Sequence, residues 1–166
     1  MFSLNIPVAG EVKQETNQFT PYLTDFKVRE HFTFVIKRFQ KDRDRIDQIQ
    51  KRTRRTLTGI SPFAVKITGI DCFRNPPKGN GTVVYFAVES PQLLDIHKQL
   101  CDEFGTVEPL EGEEYSPHIT IARGNNEETI ETLLSQSIKP ITWQVKHLEF
   151  FDPVKQELLG QIGLPI

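Results

Sequence analysis

His31-Phe32-Thr33-Phe34 and His118-Ile119-Thr120-Ile121 are one pattern written twice, a histidine and a threonine alternating with apolar side chains. Successive side chains of a β-strand point to opposite faces. As a strand, each copy presents His and Thr on one face and two apolar residues to a core on the other. Two such strands flanking a cleft would bring His31, Thr33, His118 and Thr120 to one ligand. That set comprises two groups that exchange protons near neutral pH and two hydroxyl donors, which suits metal-free acid and base chemistry on a phosphate. The two histidines stand 87 positions apart in 166 residues, close to half the chain, as a duplicated unit requires.

The order of elements repeats on the same scale. Residues 2–8 read as a strand, 11–23 as a weakly defined helix or irregular crossing, and 30–36 as the first His/Thr strand. Residues 42–57 have helical composition without interior Gly or Pro, and 63–70 alternate as a strand. The second pass opens with β-forming residues 82–89. Ser90 then caps a helix with Pro91 at its first position, Leu93, Ile96, Leu100 and Phe104 at helical intervals, and Gly105 as its stop. The second His/Thr strand falls at 117–122, a helix at 127–137 behind Asn125-Asn126, and strands at 142–151 and 157–164 about Asp152-Pro153. Residues 75–81 and 111–114 read as flexible connections. The chain is expected to be one α+β domain over 1–166, formed by internal duplication with approximate halves 1–81 and 82–166. Its two pseudo-symmetric, interleaved lobes would each be a small, mostly antiparallel sheet with outer helices, and the active-site cleft would lie between them.

Composition narrows the function classes. With 37% hydrophobic and 25% charged residues the chain reads as an ordinary globular protein. It shows neither a signal-like start nor a long apolar run, so no membrane association and a cytoplasmic location are expected, as is a monomer. Cys72 and Cys101 belong to no metal-ligand pattern and read as buried thiols. Each motif offers one imidazole and no third ligand at useful spacing, so neither a metal nor another cofactor is expected. Between Lys37 and Arg55, nine basic residues face three acids, a local +6 within a net charge of −2. That stretch reads as a solvated helix face or as a surface for a phosphate-bearing ligand. His97 and His147 lack a threonine partner and read as structural or surface groups. Arg123 reads as a bidentate phosphate clamp or a strand-end surface residue. Tyr115, Phe39 and Phe151 are candidate base-stacking platforms, with core or rim packing as the alternative.

The doubled H-apolar-Thr-apolar pattern resembles the 2H phosphoesterase superfamily, which includes the RNA 2′,3′-cyclic phosphodiesterases also called 2′-5′ RNA ligases. The segment Ser116-Pro117-His118-Ile119-Thr120-Ile121-Ala122-Arg123 is the closest match, and Phe2-Ser3-Leu4-Asn5-Ile6-Pro7 resembles the family's first strand with its terminating proline. One departure is visible: Val35-Ile36-Lys37-Arg38-Phe39 follows the first motif where the RNA ligase branch usually turns through a glycine.

The resemblance implies a cyclic phosphodiesterase acting on RNA 2′,3′-cyclic phosphate ends or on a small cyclic-phosphate nucleotide. His118 would activate water and His31 would protonate the departing 3′ oxygen, leaving a 2′-phosphate, although near symmetry leaves the reverse assignment open. Thr33 and Thr120 would hydrogen-bond the non-bridging oxygens. Arg123, Tyr115 and Phe39 would bind substrate. The reverse reaction would join a cyclic end to a 5′-hydroxyl. A noncatalytic module that holds RNA or nucleotide phosphate in the same cleft is the alternative.

Overall fold

Strand β1 (Phe2–Asn5) and strand β3 (Val35–Phe39) pair antiparallel, and this pair organises the first sheet. Its order is β3-β1-β8-β9, with β8 at His147–Asp152 and β9 at Glu157–Gly163. The second sheet runs β2-β6-β5-β4-β7, comprising Lys27–Val28, His118–Gly124, Thr82–Glu89, Phe63–Phe73 and Ile141–Val145. All pairings are antiparallel. The computed structural model describes residues 1–77 and 79–166; Lys78, within the connection expected at 75–81, lies outside the described residues, as does the side chain of Arg43.

The expected two-lobed α+β architecture is present, and its lobes interleave. Strand β4 leaves the first half of the sequence to pair with β5, while β8 leaves the second half to pair with β1. The orders β3-β1-β8 and β6-β5-β4 therefore correspond, and β3 and β6 hold matching positions. One contiguous apolar cluster joins the lobes, from Phe2, Phe39 and Phe150 in the first sheet to Val65, Phe86 and Ile119 in the second.

Helix α3 (Pro91–Phe104) packs on β3, and α2 (Ile46–Thr56) packs on α3. Helix α4 (Glu127–Leu134) packs on β4, and α1 (Gly10–Thr16) continues into a 3-10 turn whose Phe19 meets Phe86 of β5. Helix α3 forms where its local chemistry dictates. The Ser90 hydroxyl accepts from Leu93 N and donates to Ala64 O, while Gly105 ends the helix at φ 85°. Among the described residues no helix is long and apolar enough to cross a membrane.

Several boundaries differ from expectation. The strand expected at 142–151 is two strands, broken at Lys146, that enter different sheets. Helix α2 starts at Ile46 behind a 3-10 turn (Arg43–Arg45). The first motif, expected within a strand at 30–36, lies ahead of the ladder with a bend at Glu30 and His31, because β3 begins only at Val35. The bond from Ile6 N to Phe34 O (2.8 Å) closes the ladder, which does not reach Thr33 or His31.

Residues 111–114, expected to be a flexible connection, are instead pinned by a buried carboxylate. Glu111 and Lys37 are each 1% exposed and pair at 2.5 Å. Arg38 N (2.6 Å) and Val107 N (3.0 Å) also donate to the Glu111 carboxylate. Lys37 is thus removed from the basic face assigned to it, since a buried ammonium requires a compensating partner.

Candidate active site

A cleft of about 660 Å³ opens between the sheets. Sheet one contributes Ser3, Asn5, Val35, Arg38 and Phe151; sheet two contributes Phe73, Val83, His118, Thr120 and Arg123. Thr33, Arg29, Tyr115 and Ser116 lie on the segments between. Among the described residues, none from helices α1 to α4 lines it, as outer helices require.

His118 and Thr120 reach the cleft because β6 alternates as its sequence directs, with Ile119 and Ile121 in the core on the other face. His118 Nδ1 lies 2.7 Å from Ser116 O. A carbonyl only accepts, so Nδ1 carries the proton and Nε2 is the basic nitrogen of the neutral ring. Burial lowers the His118 pKa from its ordinary value, Arg38 and Arg29 lower it further, and the Ser116 bond opposes them. The rings of Phe73 and Tyr85 meet His118 edge-on at 5.2 Å, and stack on each other at 4.3 Å. Burial, with Asp71 and Cys72 nearby, pushes the Tyr85 hydroxyl up to about 12. Near pH 7 the site therefore presents a neutral imidazole with an open lone pair, the state a general base needs.

Thr33 lines the cleft with His118 and Thr120, but His31 does not. His31 is exposed and borders two adjoining cavities, one with Arg29, Arg123 and Gln156, the other with Asn5, Thr33 and Phe151. Arg29 and Arg123 line both the cleft and the first of these, so they mark the boundary between the two histidines.

The substrate-binding candidates divide. Arg123 and Tyr115 are in the cleft lining. The Tyr115 hydroxyl donates to Val35 O (2.9 Å), its ring stacks on His97 at 3.7 Å, and burial pushes its pKa up. Phe39 is corrected: it is 3% exposed and packs between Phe2 (5.2 Å), Phe104 (5.1 Å) and Phe150 (6.1 Å). It falls on the apolar face of β3, so its removal would cost core stability, about 3–5 kcal/mol, not binding. Phe151 lies at the cleft wall.

The structural assignment of His97 holds in detail. Its Nδ1 donates to Ile36 O (2.7 Å) and its Nε2 accepts from Gly112 N (3.0 Å), which fixes a neutral ring; burial lowers its pKa. His147 sits on β8 beside Glu149 (3.2 Å). Cys72 and Cys101 are half-buried free thiols.

Of the basic stretch from Lys37 to Arg55, Arg38 alone among the described side chains lines the cleft. Arg52 pairs with Glu103 and covers the Phe104 ring at 4.5 Å, and Arg54 reaches Gln161 O, both on the outer face. Arg29, Arg38, Phe73 and Tyr85 join the site without having been expected from sequence. Arg29 was within reach of sequence reasoning, two positions before His31, whereas Arg38 depends on a strand irregularity that composition does not reveal.

The sequence pattern of the 2′-5′ RNA ligase superfamily matches residues 9–157. An RNA 2′,3′-cyclic phosphodiesterase of Methanothermobacter thermautotrophicus is 30% identical over 112 residues, 66% of this chain and 60% of that protein's length. The crystal structure of TT0787 of Thermus thermophilus superposes with TM-score 0.65 at 18% identity, covering 98% of this chain and 97% of the other. Escherichia coli LigT complexed with 3′-AMP superposes with TM-score 0.61 at 13% identity, covering 98% and 96%. A match over residues 9–157 of 166, carried on two interleaved antiparallel sheets by a chain with the doubled His/Thr pattern, places the chain in the 2′-5′ RNA ligase superfamily of 2H phosphoesterases.

Proposed function

We propose that the protein is a metal-independent phosphodiesterase that opens 2′,3′-cyclic phosphates, on RNA ends or nucleotides, to 2′-phosphates. His118 Nε2 takes a proton from water as its oxygen bonds to phosphorus. The P–O3′ bond breaks, and His31 on the other side protonates the departing 3′ oxygen. Thr33 and Thr120 donate to the non-bridging oxygens, most strongly as charge grows in the transition state. Arg123 neutralises the phosphate. In the same direction, with a 5′-hydroxyl in place of water, these steps form a 2′-5′ linkage.

The observation that carries this reading is the fixed tautomer of His118, whose basic nitrogen is left open at a cleft shared with both motif threonines. The named activity of the archaeal relative supports it, and the LigT complex with 3′-AMP supports a nucleotide phosphate as the kind of ligand this fold takes. The exposed position of His31 outside the main cleft favours a second reading, a module that binds phosphate without turnover.

One experiment separates the two. The pure protein is incubated with a chelator and a panel of 2′,3′-cyclic nucleotides and RNA ends, and products are assigned by phosphorus resonance. Conversion to 2′-phosphates supports the phosphodiesterase. Binding without product on every substrate overturns it in favour of the binding module.

A further inference from the structure

Each motif strand carries a β-bulge followed by an arginine. Between β1 and β3 the register passes from Asn5↔Val35 to Leu4↔Lys37, skipping Ile36. Between β5 and β6 it passes from Tyr85↔Thr120 to Val84↔Ala122, skipping Ile121. An extra residue inverts the alternation of everything beyond it. After the first bulge Lys37 therefore turns into the protein and Arg38 into the cleft; after the second, Arg123 does the same. Arg38 is thus the counterpart of Arg123 on the opposite wall.

Glu111 supports the Arg38 charge through space, but no acceptor among the described residues holds the guanidinium itself. Glu111 accepts from Lys37 Nζ, Arg38 N and Val107 N, so its carboxylate is committed to the lysine and to backbone. Among the described residues the Arg38 guanidinium has no hydrogen-bond acceptor, although it offers five N–H donors in a fork that fits a phosphate. Burial lowers its pKa, the mark of a cation held where water is scarce.

Position indicates which phosphate. A phosphorus flanked by His31 and His118 belongs at the boundary marked by Arg29 and Arg123, which line both spaces. Arg38 lines the cleft but neither cavity that holds His31, and its charge reaches His118, so a phosphate on it would sit on the His118 side of the one that reacts. On a nucleotide whose 2′ and 3′ oxygens are closed in the ring, the 5′ oxygen is the remaining ribose site for a second phosphate.

We propose that Arg38 forms a second phosphate subsite, so that the preferred substrate carries a 5′-side phosphate, monoester or diester, in addition to the cyclic phosphate that reacts. This rests on the phosphodiesterase reading above.

The test compares adenosine 2′,3′-cyclic phosphate, its 5′-phosphorylated form and the dinucleotide ApA ending in a cyclic phosphate. Wild-type kcat/KM should favour the two phosphate-extended substrates about tenfold or more, and Arg38→Gln should abolish that ratio. Preference for one extended substrate over the other identifies a monoester or a diester. Arg38→Lys keeps the charge without the fork and should retain part of the ratio; it serves if the glutamine variant fails to fold. No preference in the wild type, or a ratio unchanged in either variant, overturns the proposal.

Failure of the underlying reading is separately visible as absence of turnover on all three substrates. Calorimetric binding of adenosine 2′-phosphate and adenosine 2′,5′-bisphosphate then decides. Tighter binding of the bisphosphate that Arg38→Gln removes supports the subsite, and equal affinities overturn it.

Discussion

Replacing Glu111 by Gln should destabilise the protein far more than a one-atom change suggests. The carboxylate is 1% exposed and balances Lys37 at 2.5 Å while accepting from Arg38 N and Val107 N. The amide removes the compensating charge and turns an NH₂ toward donors, leaving a buried ammonium without its counter-ion and a backbone N–H without an acceptor. Breaking a buried pair from one side costs about 3–5 kcal/mol, and a domain of this size loses about 2–4 °C of Tm per kcal/mol. The expected fall is about 6–20 °C, read by thermal unfolding in circular dichroism. Lys37→Met combined with Glu111→Gln should be milder than the sum of the single changes, with a coupling of about 1 kcal/mol or more. The segment leading to Tyr115 and Ser116 is anchored by Glu111, so the orientation of His118 should suffer too. A Tm within about 2 °C of wild type for Glu111→Gln would mean that the buried ammonium needs no counter-ion.

Four further outcomes are expected. Because burial and the neighbouring arginines lower the His118 pKa, kcat/KM should rise with pH through a midpoint below about 6.5; Arg38→Gln should move that midpoint up, and a wild-type midpoint above about 7 would contradict the role of burial and the arginines at His118. His97 is held neutral when folded but takes a proton near about pH 6.5 when unfolded, so the unfolded state binds more protons and stability falls as pH drops below that value; urea titrations at about pH 7, 6 and 5 should show a flatter decline in His97→Gln. Ser90→Ala removes the α3 cap and the bond to Ala64 O, and should cost about 1–2 kcal/mol in urea unfolding. Lys51→Gln with Arg55→Gln, on the outer helix, should leave kcat/KM on a cyclic mononucleotide within about twofold at physiological salt, where exposed charges are screened.

Local chemistry was legible in the sequence, and long-range geometry was not. Ser90, Pro91 and Gly105 set the ends of α3 through groups within a few residues of each other, and the alternation at His118–Ile121 matched a strand with a real neighbour. The identical alternation at His31–Phe34 misled because the ladder to the partner strand closes at the bond from Ile6 N to Phe34 O, before it reaches Thr33 or His31. The bulge at Ile36 decided that Arg38 and not Lys37 faces the cleft, and a bulge belongs to the pair of strands, not to either alone. Glu111 looked like part of a solvated acidic loop because its partner is 74 positions away. In the run from Thr142 to Phe151 the apolar positions pass from Trp143 and Val145 to Leu148 and Phe150, so the adjacent polar pair Lys146-His147 shifts the phase where the chain changes sheets, a signal that reading one continuous strand overlooks.

Two histidines from distant segments are proposed to act as one proton-transfer unit on a single phosphorus. Turnover of adenosine 2′,3′-cyclic phosphate by His31→Ala, His118→Ala and the double variant tests this joint action. Each single change should cut kcat at least about 100-fold, and the double should be little worse than the poorer single, as for groups that work together. Wild-type turnover in either single variant would mean that the replaced ring moves no proton in the reaction.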